Sequence, residues 1–255
     1  MIQERTAKSF GFEWSRFNDI FDQYEANFLS YIEPIGKDFF KDKLVLDAGC
    51  GAGRHSYFAA KYGARIVAID LSKDAVISAI YNLRQFDDVA VLNEDIYTFE
   101  FPQKFDYIMS IGVLHHLLNP QAGFNKLVSL LKDGGTISIW VYSKEDNKLR
   151  YLYEPLRKIT TRIPHKVLYY LSYFPAITVE ICNRLNLPIF KHYKRFPFKT
   201  KLNDAFDVFS APSAMYYSKT DIEKWLIDAG LTDYSYARYR VLNGKIKGII
   251  GHGVK

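Results

Sequence analysis

Three glycines at alternate positions behind a short apolar run constrain this chain more than any other stretch. Residues 44–56 read Leu-Val-Leu-Asp-Ala-Gly-Cys-Gly-Ala-Gly-Arg-His-Ser. Leu44–Leu46 is short, branched and apolar and follows Lys41, Asp42 and Lys43, the pattern of a buried parallel strand. Gly49, Gly51 and Gly53 let the backbone turn sharply and approach a ligand, because no Cβ intervenes. Ser56, Phe58, Ala59, Ala60 and Tyr62 then follow at helical spacing, with a stop at Gly63. Strand, glycine turn and helix start together aim backbone N–H groups at something bound above the sheet edge. A dinucleotide fingerprint needs a third glycine where Arg54 stands. Asp47 closes the strand, and an acid there repels a pyrophosphate and suits a ligand carrying a positive group.

Leu46-Asp47-Ala48-Gly49-Cys50-Gly51-Ala52-Gly53 closely resembles motif I of the class I S-adenosylmethionine-dependent methyltransferases. The resemblance implies S-adenosylmethionine as cofactor, a ligand with a sulfonium, an α-ammonium and no phosphate. It extends to later stretches. Arg65–Asp70 reads as a second buried strand, followed by Leu71, Ser72 and a helix through Ala75, Val76, Ala79 and Leu83. Two βα units in succession predict a parallel sheet with right-handed crossovers. Asp70 ends the second strand, where an acid accepts both ribose hydroxyls of a nucleoside; a helix cap is the alternative role. Val89–Leu92 is a third strand. In the family the acid of the next loop meets the adenine amino group and the following apolar side chain packs on the ring, which maps to Asp95 and Ile96. Phe105–Ser110 is a fourth strand, and the run from Asp106 to His116 also resembles the family. No Asn-Pro-Pro-Tyr or Asp-Pro-Pro-Tyr follows it, which argues against methylation of nucleic-acid bases. The implied cofactor set is Asp47, Gly49, Cys50, Gly51, Gly53, Asp70, Leu71, Asp95, Ile96 and Ser110.

Lys132-Asp133-Gly134-Gly135 reads as a tight turn before a fifth strand, Thr136–Tyr142. The alternation then breaks. Residues 143–217 are aromatic and basic, with prolines at 155, 164, 175, 188, 197 and 212, too long for a connecting loop and so a helical insertion. Ser218–Gly230 is a capped helix. Tyr234–Leu242 and Lys245–Ile250 are strands joined by Asn243-Gly244, a strong hairpin signal. An antiparallel hairpin ending a parallel sheet is the family's closing signature. The expected fold is therefore α/β: a Rossmann-like, doubly wound, seven-stranded sheet with an antiparallel C-terminal hairpin and a helical insertion after strand 5. The expected division is an aromatic helical cap at 1–36, the cofactor-binding core at 37–142, the insertion at 143–217 and the end of the core at 218–255. In the family an N-terminal aromatic helix often covers the cofactor, which makes Trp14 and Tyr24 lid candidates; plain packing on the sheet is the alternative.

Composition sets the remaining bounds. At 255 residues and 48% hydrophobic, the chain has ample material for one core with an insertion. No run of 18 apolar residues occurs, and the polar N-terminus lacks a signal-peptide core. Cys50 and Cys182 make no disulfide framework, so free thiols and a cytoplasmic protein are expected. No metal-ligand spacing is visible. The net charge of +6 is uneven: Lys148–Lys201 holds twelve Lys or Arg against Glu154 and Glu180, leaving the rest of the chain net acidic. That segment can attract an anionic acceptor, rest on an anionic membrane surface or bind nucleic acid.

Methyl transfer from a sulfonium is an in-line displacement, and an oxygen nucleophile benefits from a base. His115 and His116, just past the fourth strand, are the best-placed histidines, each with a structural role as the alternative. Trp14, Tyr142, His192, Tyr216 and Tyr217 are substrate-pocket candidates. These readings describe a metal-independent methyltransferase acting on a small-molecule, glycan- or lipid-linked anionic acceptor, at oxygen. An RNA methyltransferase using the basic insertion, or a non-catalytic S-adenosylmethionine-binding module, are the competing readings.

Overall fold

The computed structural model describes residues 2–145, 150–212, 214–241 and 245–255. One seven-stranded sheet runs through the molecule. Its strands are β1 Leu44–Ala48, β2 Arg65–Asp70, β3 Val89–Asn93, β4 Phe105–Ile111, β5 Leu131–Tyr142, β6 Thr232–Val241 and β7 Lys245–Val254. The spatial order is β3-β2-β1-β4-β5-β7-β6, with β1–β5 parallel and β7 antiparallel to both β5 and β6. This is the Rossmann-like doubly wound sheet with the antiparallel ending expected from the sequence. The Asn243-Gly244 turn lies outside the described residues. Every residue of β1 is buried, because helices cover both faces at the sheet centre. The fifth strand begins earlier than Thr136: Leu131 already pairs with Phe105, and the Lys132–Gly135 turn interrupts the register before Thr136 meets Tyr107.

Helices α1 Ile2–Arg16, α2 Gln23–Ile32, α3 Arg54–Lys61, α4 Lys73–Leu83 and α5 Pro120–Ser129 surround the first half of the sheet. The N-terminal aromatic segment is thus two helices, broken where the Asn18 carbonyl accepts a bond from Asn82 Nδ2 at 2.6 Å. Beyond β5 come α6 Arg150–Thr160, α7 His165–Leu171, α8 Tyr173–Arg184, a 3₁₀ segment Pro188–Arg195 and α9 Phe198–Ser210. The insertion leaves and returns at one point. Ser143 bridges Tyr217, whose N–H donates to the Tyr142 carbonyl at 2.8 Å. It has its own small core of Leu168, Ala176, Leu202 and Phe206, shared with Phe17 at the end of α1. Helix α9 then grips α1. Asn203 Nδ2 donates to Glu13 at 3.0 Å, and Ser9 Oγ to the Ser210 carbonyl at 3.0 Å. Helix α10, Lys219–Asp228, starts with the full reciprocal cap between Ser218 and Asp221 that its sequence suggests.

Candidate active site

The C-terminal ends of β1, β2 and β4 open onto a cleft whose empty space, counted out to open solvent, is about 760 Å³. Gly49, Asp70, Leu71, Asp95 and Ile96 form its floor. Gly112, Val113, His116 and Leu117 form the far rim, and Gln3, Thr6, Ala7, Phe10 and Trp14 of α1 form the roof. Such a crevice arises where the strand order reverses, here between β1 and β4.

The glycine turn is shaped for close approach at two positions. Gly49 has φ +85°, donates to the Ile69 carbonyl at 2.8 Å, and would place a Cβ 2.5 Å from both methyls of Val113. Gly51 has φ +54°, and a Cβ there would lie 2.7 Å from the Trp14 ring. Both backbones occupy the left-handed region that side chains resist.

Asp70 orders this turn. Its Oδ2 accepts from Gly51 N at 2.9 Å and its Oδ1 from Ser72 N at 2.8 Å. Burial raises its pKa, and the two backbone donors work against that rise. A carboxylate has about four lone-pair sites, so Asp70 retains acceptor capacity toward the cleft. Asp95 plays the matching part on the next loop: Tyr97 N donates to Oδ1 at 3.0 Å, and Gln3 Nε2 on α1 donates to Oδ2 at 2.8 Å. The roof is therefore tied to the floor through Asp95. Ser110 lies beneath, fully buried, donating to the Ala48 carbonyl at 2.9 Å.

Asp47, expected at the ligand, is absent from the cleft lining. Its carboxylate is buried and turned to α3, accepting from Ser56 Oγ at 2.6 Å and Ser56 N at 3.2 Å. Strand alternation sends this side chain under the turn, where it braces the start of α3. Burial lifts its pKa to about 7, against the two Ser56 bonds. The folded value lies above the unfolded one, so the contribution to stability is complete below about pH 4 and is lost as pH rises to about 7, by roughly 1.4 kcal/mol per unit. The stability difference between wild type and Asp47→Asn should change by that slope in urea titrations from about pH 5 to about pH 7. A pH-independent difference would refute it. Cys50 is buried beside Asp47, and Gly53 caps α3 with φ +77°; neither lines the cleft.

The two histidines part company. Both lie in a short 3₁₀ turn, Leu114–His116. His116 faces the cleft, edge-on to Phe10 with ring centroids 4.8 Å apart. His115 turns away, its ring centroid 4.0 Å from that of Tyr142. It is fully buried, and burial holds its pKa well below the usual range, so it stays neutral. Behind it Tyr142 donates to Asp207 at 3.2 Å and stacks on Tyr216 at 5.7 Å. The buried Arg157 reaches the same wall, donating from Nε to the Val208 carbonyl at 2.9 Å, with its guanidinium 5.3 Å from the Tyr153 ring.

Of the expected pocket residues, Trp14 lines the cleft, while Tyr142 and Tyr216 form the wall behind the histidines. Tyr217 belongs elsewhere, packed edge-on to Trp225 of α10 at 4.8 Å. The backbone of His192 lies in the 3₁₀ segment, and its side chain is outside the described set. Tyr24 is no lid: it carries the Arg54 guanidinium 3.9 Å over its ring and bonds Thr200 at 2.8 Å. Sequence reasoning missed Gln3, Thr6, Ala7 and Phe10. The signal was present as the helical stripe 3, 7, 10, 14, but its polar members hid it.

The glycine turn, the acids after β2 and β3 and the antiparallel ending define a protein of the class I methyltransferase fold. The chain belongs to the methyltransferase-domain family, whose model matches residues 39–170, just over half of the sequence. It is 27% identical over 206 residues to an uncharacterized protein of Synechococcus, covering 74% of this chain and 47% of that one. It is 31% identical over 133 residues to ubiquinone biosynthesis O-methyltransferase of Coxiella burnetii, covering 49% of this chain and 53% of the relative. The chain thus spans about half the length of the curated relatives it matches. In fold it is similar to magnesium protoporphyrin IX methyltransferase of Synechocystis with bound S-adenosylhomocysteine, at TM-score 0.54 and 17% identity, over 91% of this chain and 82% of the other. No described helix is long and apolar enough to cross a membrane.

Proposed function

We propose that this protein transfers a methyl group from S-adenosylmethionine to an oxygen of a small-molecule, glycan- or lipid-linked anionic acceptor. The observation that carries the reading is the cleft itself, with the cradle at Gly49, an acid at each of two adjacent loops, and a histidine on the opposite rim. These residues fit the cofactor. In this reading Asp70 would accept ribose hydroxyls and Asp95 would accept from a ring amino group. Leu71, Ile96 and Leu117 supply apolar faces for a flat base. S-adenosylmethionine, when bound, supplies an electrophilic methyl carbon on its sulfonium.

The chain's own contribution is positioning and proton transfer. A fixed near-attack geometry is worth roughly 7–11 kcal/mol. His116 takes the proton from the acceptor hydroxyl, the role its place on the rim supports. Helix α1, tied down at Asp95 and by α9, holds a roof over the cleft. Curated relatives that carry the name O-methyltransferase support oxygen as the acceptor atom. Arg157, buried on the wall beside His115 and Tyr142, supports an anionic acceptor. Neither Arg157 nor the exposed cations described in the insertion line the cleft.

Titration calorimetry with S-adenosylhomocysteine tests this. Binding at a sub-millimolar Kd is expected, and no heat of binding at that level would overturn the assignment. Binding without methyl transfer to any phenol, carboxylic acid or lipid-linked hydroxyl would favour the non-catalytic module instead.

A further inference from the structure

Amphipathic helices on a folded protein put their apolar stripe inward. Helix α8 carries a second apolar stripe outward as well. Phe174, Ile177, Ile181 and Leu185 recur at three- and four-residue spacing on its solvent side, with Phe174 80% and Leu185 66% exposed. Its inner side carries Ala176 and the buried Asn183, with Tyr173 and Val179 packed on the interior clusters. The preceding α7, joined to it through Ser172, adds Val167, Leu171 and Tyr170, the last 72% exposed. Among the described residues, eleven of the nineteen exposed large hydrophobic side chains fall between Tyr151 and Leu187. Single exposed apolar residues are ordinary, but a contiguous set of this kind marks a contact surface.

Charge says what the contact is. Every exposed charged side chain described between Tyr151 and Arg195 is positive: Lys158, Arg162, Lys166, Arg184, Lys191, Lys194 and Arg195. The acids of the segment are only partly exposed, and Glu180 is occupied by Arg184 and Lys201. A second copy docking through the same face would set these cations against one another. Single-stranded nucleic acid is held by stacking aromatics within a charged groove, whereas the α8 stripe is aliphatic apart from Phe174. Apolar side chains surrounded by cations match a bilayer with anionic headgroups.

The geometry points to α7 and α8 as a docking surface for an anionic lipid bilayer, with the α8 stripe entering the headgroup–acyl boundary and the surrounding lysines and arginines resting on the phosphates. This surface is separate from the cleft, and its occupancy does not depend on which cofactor or acceptor the cleft takes. It would hold the protein at the leaflet without a spanning segment.

Flotation of the full chain with vesicles of phosphatidylcholine alone, or mixed with phosphatidylglycerol, tests the assignment. Binding to the mixed vesicles is expected, at least about tenfold weaker on neutral ones, and falling with salt. Neutralising Arg162 and Lys166 together (Arg162→Gln, Lys166→Gln) should weaken binding roughly 30-fold, since each cation near an anionic leaflet is worth about fivefold. The triple variant Phe174→Ser, Ile181→Ser, Leu185→Ser should lose more than about 100-fold. Its thermal midpoint and its affinity for S-adenosylhomocysteine should be unchanged, because none of the three lines the cleft. Equal binding to both vesicle types, binding retained by the triple variant, or no vesicle binding by the wild type would each overturn the proposal. A dimer that the triple variant converts to monomer, without vesicle binding, would also overturn it and assign the face to a protein contact.

Discussion

Replacing Asp70 by alanine should weaken S-adenosylhomocysteine binding roughly 10- to 100-fold, the worth of one or two hydrogen bonds to a charged acceptor. The residue does two jobs, and the measurement has to separate them. Its oxygens already hold Gly51 N and Ser72 N, so the substitution also loosens the glycine turn. An analogue lacking both ribose hydroxyls distinguishes the two. If Asp70 binds the ribose, the variant's loss should be clearly smaller for the deoxy analogue than for S-adenosylhomocysteine, because the ribose interaction is missing from both deoxy complexes and only the turn's share remains. An equal loss for both ligands would instead assign the whole effect to turn geometry and refute the ribose role.

Replacing His116 by alanine should lower kcat roughly 10²- to 10⁴-fold, the usual worth of a positioned general base, while cofactor affinity changes far less. The loss should narrow as pH rises toward the acceptor's own ionisation, because an acceptor that ionises unaided no longer needs the base. A pH-independent deficit would point to a structural role. His115 provides the contrast. Buried, neutral and packed on Tyr142, it belongs to the wall, and its substitution should register as a lower thermal midpoint.

The strands β1–β4, the glycine turn and helix α10 were legible because each carries a strong local signal. These signals are short apolar runs, two of them closing on an acid, φ-permissive glycines, and a reciprocal cap. The acids Asp70 and Asp95 were legible for a related reason: a side chain just past a parallel strand has little choice but the sheet edge. Asp47 shows where that logic stops. It sits beside Ala68, two residues short of the level of Asp70, so its side chain stays beneath the glycine turn and pairs with Ser56. The distinction between His115 and His116 was beyond any pattern, since a three-residue turn has no period to read. The roof was hidden for another reason. Helix α1 presents a mixed polar and apolar stripe to the cleft, and what holds it there is α9, some 190 residues away along the chain at Glu13 and Asn203.

Charge in the insertion was legible as an amount and not as a place. The sequence counts its cations; only the folded chain shows Arg157 turned inward beside the tyrosines and seven others turned out around an apolar face. By itself the sequence determined the sheet, the ligand-facing turn and the acids flanking it, because strand period and glycine freedom act over a few residues. Tertiary structure alone decided which histidine meets the cleft, what roofs it and which way the insertion's charges point, because those outcomes depend on packing between segments far apart in the chain.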